Sequence, residues 1–279
     1  MKPKKRIIAF IVIVIALVIA IGVTITNLEN KLKEVKVAKK FISHLQEKDI
    51  IDTNLNLDEV EFKLMPKLEN KNSKVQYTVI YENIGVDLDS EYVVVGFSKK
   101  DKIENGNNLI DEESAIKIAN EYVSEITDEN IIFKKIREVK EEEENSDIHT
   151  IVFYKYFKGY PYYDNEIVVG INKFTGKLES YTNQNIKDVK HNIKKNISKS
   201  DAEKISENYF INLNQKSEIL ENIALAFILG SDDEFHLSYV INVEATNSEN
   251  KKDKYELFIN SESGEIMNVK TNIVKIESN

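Results

Sequence analysis

The chain has 279 residues, a formal charge of -9, four histidines, and neither cysteine nor tryptophan. Without a thiol there is no disulfide framework, no thiolate nucleophile and no cysteine metal site. The acidic balance argues against a nucleic-acid or anionic-lipid partner.

Lys2, Lys4, Lys5 and Arg6 precede IIAFIVIVIALVIAIGVTI, Ile7 to Ile25, nineteen residues without a charge. At about 1.5 Å per residue such a helix nearly spans the ~30 Å hydrocarbon core of a bilayer. The cations lie on its N-terminal side and the first acidic residue is Glu29. The positive-inside bias then places residues 1–6 in the cytoplasm, a single transmembrane helix at 7–27, and everything after it outside the cell membrane. The rival reading is a cleaved signal peptide, for which Ala20-Ile21-Gly22 offers small residues; the length of the apolar run favours the anchor. Taking the four cations from -9 leaves -13 for the extracytoplasmic part.

Residues 28–104 read as a juxtamembrane helix followed by strands. Leu28, Leu32, Val35, Ala38, Ile42 and Leu45 recur at helical spacing. Strands are expected at 57–64, 74–83 and 91–98, with GVDLDSE as a loop between the last two. YVVVGFSKKDKIENG echoes a later hairpin but lacks its turn glycine, so the segment reads either as a degenerate repeat or as unrelated strands.

A repeat follows. LIDEESAIKIANEYVSEI opens on Asp111 as N-cap, with Ala115, Ile118, Ala119 and Tyr122 on one helical face. NISKSDAEKISENYFINL does the same from Ser198, with Ala202, Ile205 and Tyr209, and Ser198 and Asp201 have capping-box spacing. Further on, EIVVGINKFTGKLESYT aligns with KYELFINSESGEIMNVK, placing Gly176 opposite Gly264. The offsets are 87 and 88 residues, the signature of internal duplication. Repeats are therefore expected at 105–190 and 191–279, each a capped helix and a glycine-turned hairpin. The first is richer in aromatics, and Tyr160, Tyr162 and Tyr163 read either as sheet packing or as a protein-binding surface.

These motifs resemble the PepSY domain, and FYKYFKGYPYYDNEIVVGINKFTGKLESY is similar to its YcdB/YcdC-type relatives. Similar repeats occur in the extracytoplasmic parts of YpeB and YycI-like proteins. The resemblance implies an α+β fold, in which an N-terminal transmembrane helix precedes tandem units of a helix packed on an antiparallel sheet. It also implies a non-enzymatic regulatory or binding role at the cell surface, with a peptidase or other surface protein as partner. The alternative is an accessory subunit of a membrane histidine-kinase sensor, acting through its transmembrane helix.

The residues themselves supply no rival chemistry. His44, His149, His191 and His236 form no metal spacing and read as surface or turn residues; HExxH, nucleophile-elbow and phosphate-loop motifs are absent. The run EEEEN at 141–145, the carboxylates Asp87, Asp89 and Glu91, and Asp232, Asp233 and Glu234 read as solvated loops. No catalytic residue, metal or cofactor is assigned.

Overall fold

The computed structural model describes residues 33–52, 56–57, 62–65, 75–100, 109–137, 147–183, 189–220 and 223–272. The membrane segment expected at 7–27 and the acidic run at 141–145 lie outside them. Among the described residues no helix is long and apolar enough to cross a membrane.

Three helices and fourteen strands are present among these residues. In chain order they are α1 (Lys33–Glu47), β1 (Phe62–Met65), β2 (Tyr77–Tyr81), β3 (Ile84–Leu88) and β4 (Val94–Lys99), then α2 (Glu112–Ile126), β5 (Ile131–Ile136), β6 (Ile148–Phe157), β7 (Tyr160–Asn172) and β8 (Leu178–Asn183). After the short β9 (His191–Asn192) come α3 (Lys199–Asn212), β10 (Lys216–Ile219), β11 (Ala224–Leu229), β12 (Phe235–Thr246), β13 (Lys252–Asn260) and β14 (Ile266–Asn272). The fold is mixed α+β and dominated by sheet. The chain divides into two compact units: the first holds residues up to Ile126, Lys135–Ile151 and Val168–Asn185, the second Thr127–Lys134, Val152–Ile167 and Ile186–Asn279.

In the first unit β1, β2, β3, β4 and β8 pair antiparallel in that order, with β7 beyond β8. The apolar stripe of α1 (Val35, Ala38, Ile42 and Leu45) is fully buried, as is the alternating set Val79, Tyr81, Ile84, Val86 and Leu88 of the sheet. The Tyr81 hydroxyl donates to the Val35 carbonyl, tying helix to strand. GVDLDSE is not a loop: Ile84–Leu88 is a strand whose buried Ile84, Val86 and Leu88 alternate with Gly85 and Asp87. The turn before it is only Glu82-Asn83, with Glu82 at φ 50. Asp87 accepts from the Thr78 hydroxyl across the ladder, and Asp89 Oδ1 accepts the backbone N–H groups of Glu91 and Val93, so both carboxylates serve the hairpins.

Element order runs helix then four strands in each of three segments: α1 with β1–β4, α2 with β5–β8, and α3 with the later strands. In the third segment β10 and β11 line one side of β12 as a single interrupted strand. β4 is thus the fourth strand of its segment and corresponds to β8, whereas the sequence echo aligns it with β7. The matching turn lies earlier, and its positive φ falls on Tyr92 at 66°.

In the second unit β11, β12, β13 and β14 are successive neighbours, with β9 parallel on β12. One face packs Tyr239, Ile241, Val243, Leu257 and Ile259 against Ala202 and Phe210 of α3. The other buries Ala226, Ile228, Val240 and Phe258.

Candidate functional site

The repeat residues build one device twice. Asp111 Oδ1 accepts the Ser114 N–H at 2.7 Å. Ser198 and Asp201 form a reciprocal capping box, Ser198 N–H to Asp201 Oδ2 at 2.9 Å and Asp201 N–H to Ser198 Oγ at 3.2 Å. Ala115 and Ala202 are fully buried, so each helix lies close on its sheet. Asn172 Oδ1 accepts the N–H groups of Phe174 and Thr175, and Asn260 Oδ1 those of Glu262 and Ser263. Gly176 and Gly264 follow at φ 71 and 77. A Cβ on Gly176 would meet Ile110 Cδ1 at 3.0 Å and Ile118 at 3.4 Å; on Gly264 it would meet Ile205 at 3.1 Å. Tyr122 donates to the Gly176 carbonyl at 3.1 Å, whereas Tyr209 flanks the core and meets Phe210 edge-on. These residues form scaffold.

The tyrosine trio separates. Tyr160 and Tyr162 face one side of β7 and Tyr163 the other, as strand alternation requires. Tyr162, 6% exposed, is core: it packs with Phe227, Phe235 and Leu237, flanked by Phe157 and Tyr160. Tyr163 lies edge-on to Phe258 at 4.7 Å and its hydroxyl donates to Glu256, while Lys270 covers its ring at 4.6 Å. The aromatic excess of the first repeat is therefore used inside the second unit, against Phe227 and Phe235, which sequence comparison of like strands could not pair.

His191 is no surface histidine. Phe157, Phe227 and Phe235 surround its ring at centroid distances of 4.4, 5.3 and 5.4 Å, and its Nε2 is hydrogen-bonded to the Tyr162 hydroxyl at 2.7 Å. Burial pushes its pKa below the ordinary 6.5 and Lys158 pushes it further, against a bond to Val189. Burial, with Glu129 adding to it, pushes the Tyr162 hydroxyl up to about 12. The unfolded chain then binds more protons at His191 below about pH 6.5, so stability falls as the solution is acidified through that value. At Tyr162 the folded chain keeps its proton longer, so stability present below about pH 10 is lost as pH rises toward 12. Urea midpoints across pH should show both limbs; His191→Leu should flatten the acid limb and Tyr162→Phe the alkaline one. Limbs unchanged in the variants would show that neither group titrates differently on folding.

Two features point outward. Among the described residues β5 pairs only with β6. It carries Ile132 and Phe133 at 49% and 42% exposure, apolar groups on adjacent positions and hence opposite faces. Lys134 beside them is held by Glu166 and lies over the Tyr154 ring at 4.3 Å. Lys155, 1% exposed, pairs with Glu129 at 3.1 Å. Separately, in the first unit, a cleft of about 320 Å³ is lined by Glu112, Ile136, Arg137, Ile148, His149, Thr150 and Lys173. Its walls are fixed by backbone bonds from Arg137 N to Thr150 O and from Lys173 N to Asp147 O, and His149 Nε2 bonds the Ile110 carbonyl at 2.8 Å. Among the described residues no cluster of three or more His, Asp and Glu is arranged for a metal ion.

Residues 76–185 match the family described as the YcdB, YcdC repeated domain. The match opens just before β2, so it takes in strands that the sequence alone sets apart as degenerate, and ends after β8. The fold is similar to the Bacillus megaterium YpeB C-terminal domain, at 17% identity and a TM-score of 0.50, covering 85% of this chain and 96% of that one. No curated protein matches the chain.

Proposed function

We propose that the protein is a membrane-anchored, extracytoplasmic regulatory protein that acts by binding another protein rather than by catalysis, with edge strand β5 as the contact. The observation that carries this reading is the pair Ile132 and Phe133, two large exposed apolar side chains on a strand that, among the described residues, is bonded along one edge. A partner strand laid along the other edge would gain main-chain hydrogen bonds and cover apolar surface on both faces. The YcdB, YcdC match and the YpeB-like fold support membership of a regulatory or binding type, and the PepSY-like motifs favour a peptidase or other cell-surface protein as the partner. The cations at 2–6 and the apolar run at 7–25 support the anchor and its orientation.

Crosslinking in the native membrane tests it. The wild-type chain should recover a surface protein that Ile132→Lys/Phe133→Lys loses, with circular dichroism unchanged because both positions are exposed. Recovery undiminished by the double variant would remove β5 as the contact. Recovery of this chain alone would remove the regulatory reading. Loss of the partner on exchanging residues 7–27 for an unrelated anchor would instead favour a sensor subunit working through its membrane helix.

A further inference from the structure

We propose that the outward face of α1 is a docking surface for an anionic lipid leaflet, the one in which the chain's own anchor sits. This rests on the proposed anchor at residues 7–27, but neither on which side of the membrane the domain lies nor on docking at β5. The formal charge of -9 opposes such a surface, so the attraction has to be local. α1 is where the sign reverses: its residues 33–40, KEVKVAKK, hold four lysines against Glu34.

Helix geometry gathers that charge on one side. Successive residues are offset by about 100°, so Lys33, Lys36 and Lys40 fall opposite the stripe of Val35, Ala38, Ile42 and Leu45. The stripe is fully buried and the three lysines are exposed. Lys33 lies over the Tyr92 ring at 4.0 Å, which marks the margin of the face. Among the described residues Lys36 and Lys40 make no ion pair. They stand four apart and are neighbours on the helix surface, where like charges oppose helix formation. A negatively charged surface relieves that repulsion and a neutral one does not.

Position supplies the occupant. Only residues 28–32 separate the expected end of the anchor from Lys33. At no more than about 3.6 Å per residue, they hold Lys33 within roughly 20 Å of the end of the anchor. Lys36 and Lys40 follow about one and two turns on. Within that tether the helix can lay its lysines on the leaflet, where each basic residue gains an attraction that fades over a screening length of about 8 Å. The tether keeps the leaflet at high effective concentration, so a few lysines suffice where a free anion would need a formed pocket.

The chain has no cysteine, so Ser43→Cys, half-buried and one turn beyond Lys40, gives a unique site for a fluorophore. The labelled full-length chain is reconstituted into vesicles of phosphatidylcholine, with and without phosphatidylglycerol, each carrying a headgroup quencher; flotation reports insertion separately. Phosphatidylglycerol should raise quenching about twofold or more, and roughly 1 M salt, which shortens screening to about 3 Å, should remove the difference. Lys36→Glu/Lys40→Glu should remove it too while the chain still floats, with circular dichroism unchanged because both positions are exposed. Flotation with equal quenching in the two lipids would overturn the docking and leave the anchor standing, whereas failure to float in either would overturn both. Extra quenching that survives the double variant would place the contact elsewhere and overturn the assignment. Emission that follows chain density rather than lipid would do the same by giving the face to a second copy.

Discussion

Gly176→Val should lower the unfolding free energy of the first unit by about 3 kcal/mol or more, the sum of two penalties. A non-glycine residue at φ 71 costs roughly 1–2 kcal/mol, and forcing extra methyl groups into packed surroundings costs roughly 1–3 kcal/mol more. The second penalty is specific, because the first added carbon would lie 3.0 Å from Ile110 Cδ1. Ile110→Val removes that methyl, so it should recover part of the loss in the Gly176→Ala background. Urea denaturation of the four chains in that cycle measures the coupling. Strict additivity would mean that the turn costs only its backbone conformation and that contact with the helix is incidental.

The second large effect is Phe227→Ala, which should cost the second unit about 3–5 kcal/mol, the usual range for a buried phenylalanine. Phe227 is fully buried and meets Phe157, Tyr160 and Tyr162 at 5.9, 6.2 and 5.4 Å between centroids. It also faces Tyr162 across the parallel bridge from β11 to β7. Tyr160→Ala, at the half-buried margin of the same cluster, should cost roughly 1 kcal/mol, near the centre of the range for point substitutions. Equal losses for the two would show that the cluster has no centre and that depth of burial does not rank its members.

How much of this is written in the chain depends on the range over which each element reports. Val35, Ala38, Ile42 and Leu45 stand out because a helix advertises its buried face within a few turns. The caps at Asp111 and Ser198 and the turns at Gly176 and Gly264 stand out because each is local and each occurs twice. β3 does not, although Ile84, Val86 and Leu88 alternate properly, because Gly85 and the aspartates imitate loop composition. The tyrosines are ambiguous for a different reason: their partners, Phe227 and Phe235, are more than sixty residues away. The same distance hides the outward features. Nothing local in IIFKKI marks which strands it pairs with. Arg137 and Lys173 become neighbours of one cleft only through strand pairing, which leaves no mark at either position.

The division of the chain between its units has a consequence for synthesis. Residues 152–167 belong to the second unit, yet 73 residues separate Tyr162 from Phe235. At roughly 5–20 residues per second a ribosome takes about 4–15 s to cover that interval. Throughout it, Phe157, Tyr160 and Tyr162 have emerged without the rings that later enclose them. A fragment beginning at residue 191 faces the converse problem, since Phe227 and Phe235 are then made with no hairpin tip to receive them. Truncation between the two repeats should therefore give a sticky product, and the full-length nascent chain should be a client for holding chaperones during those seconds.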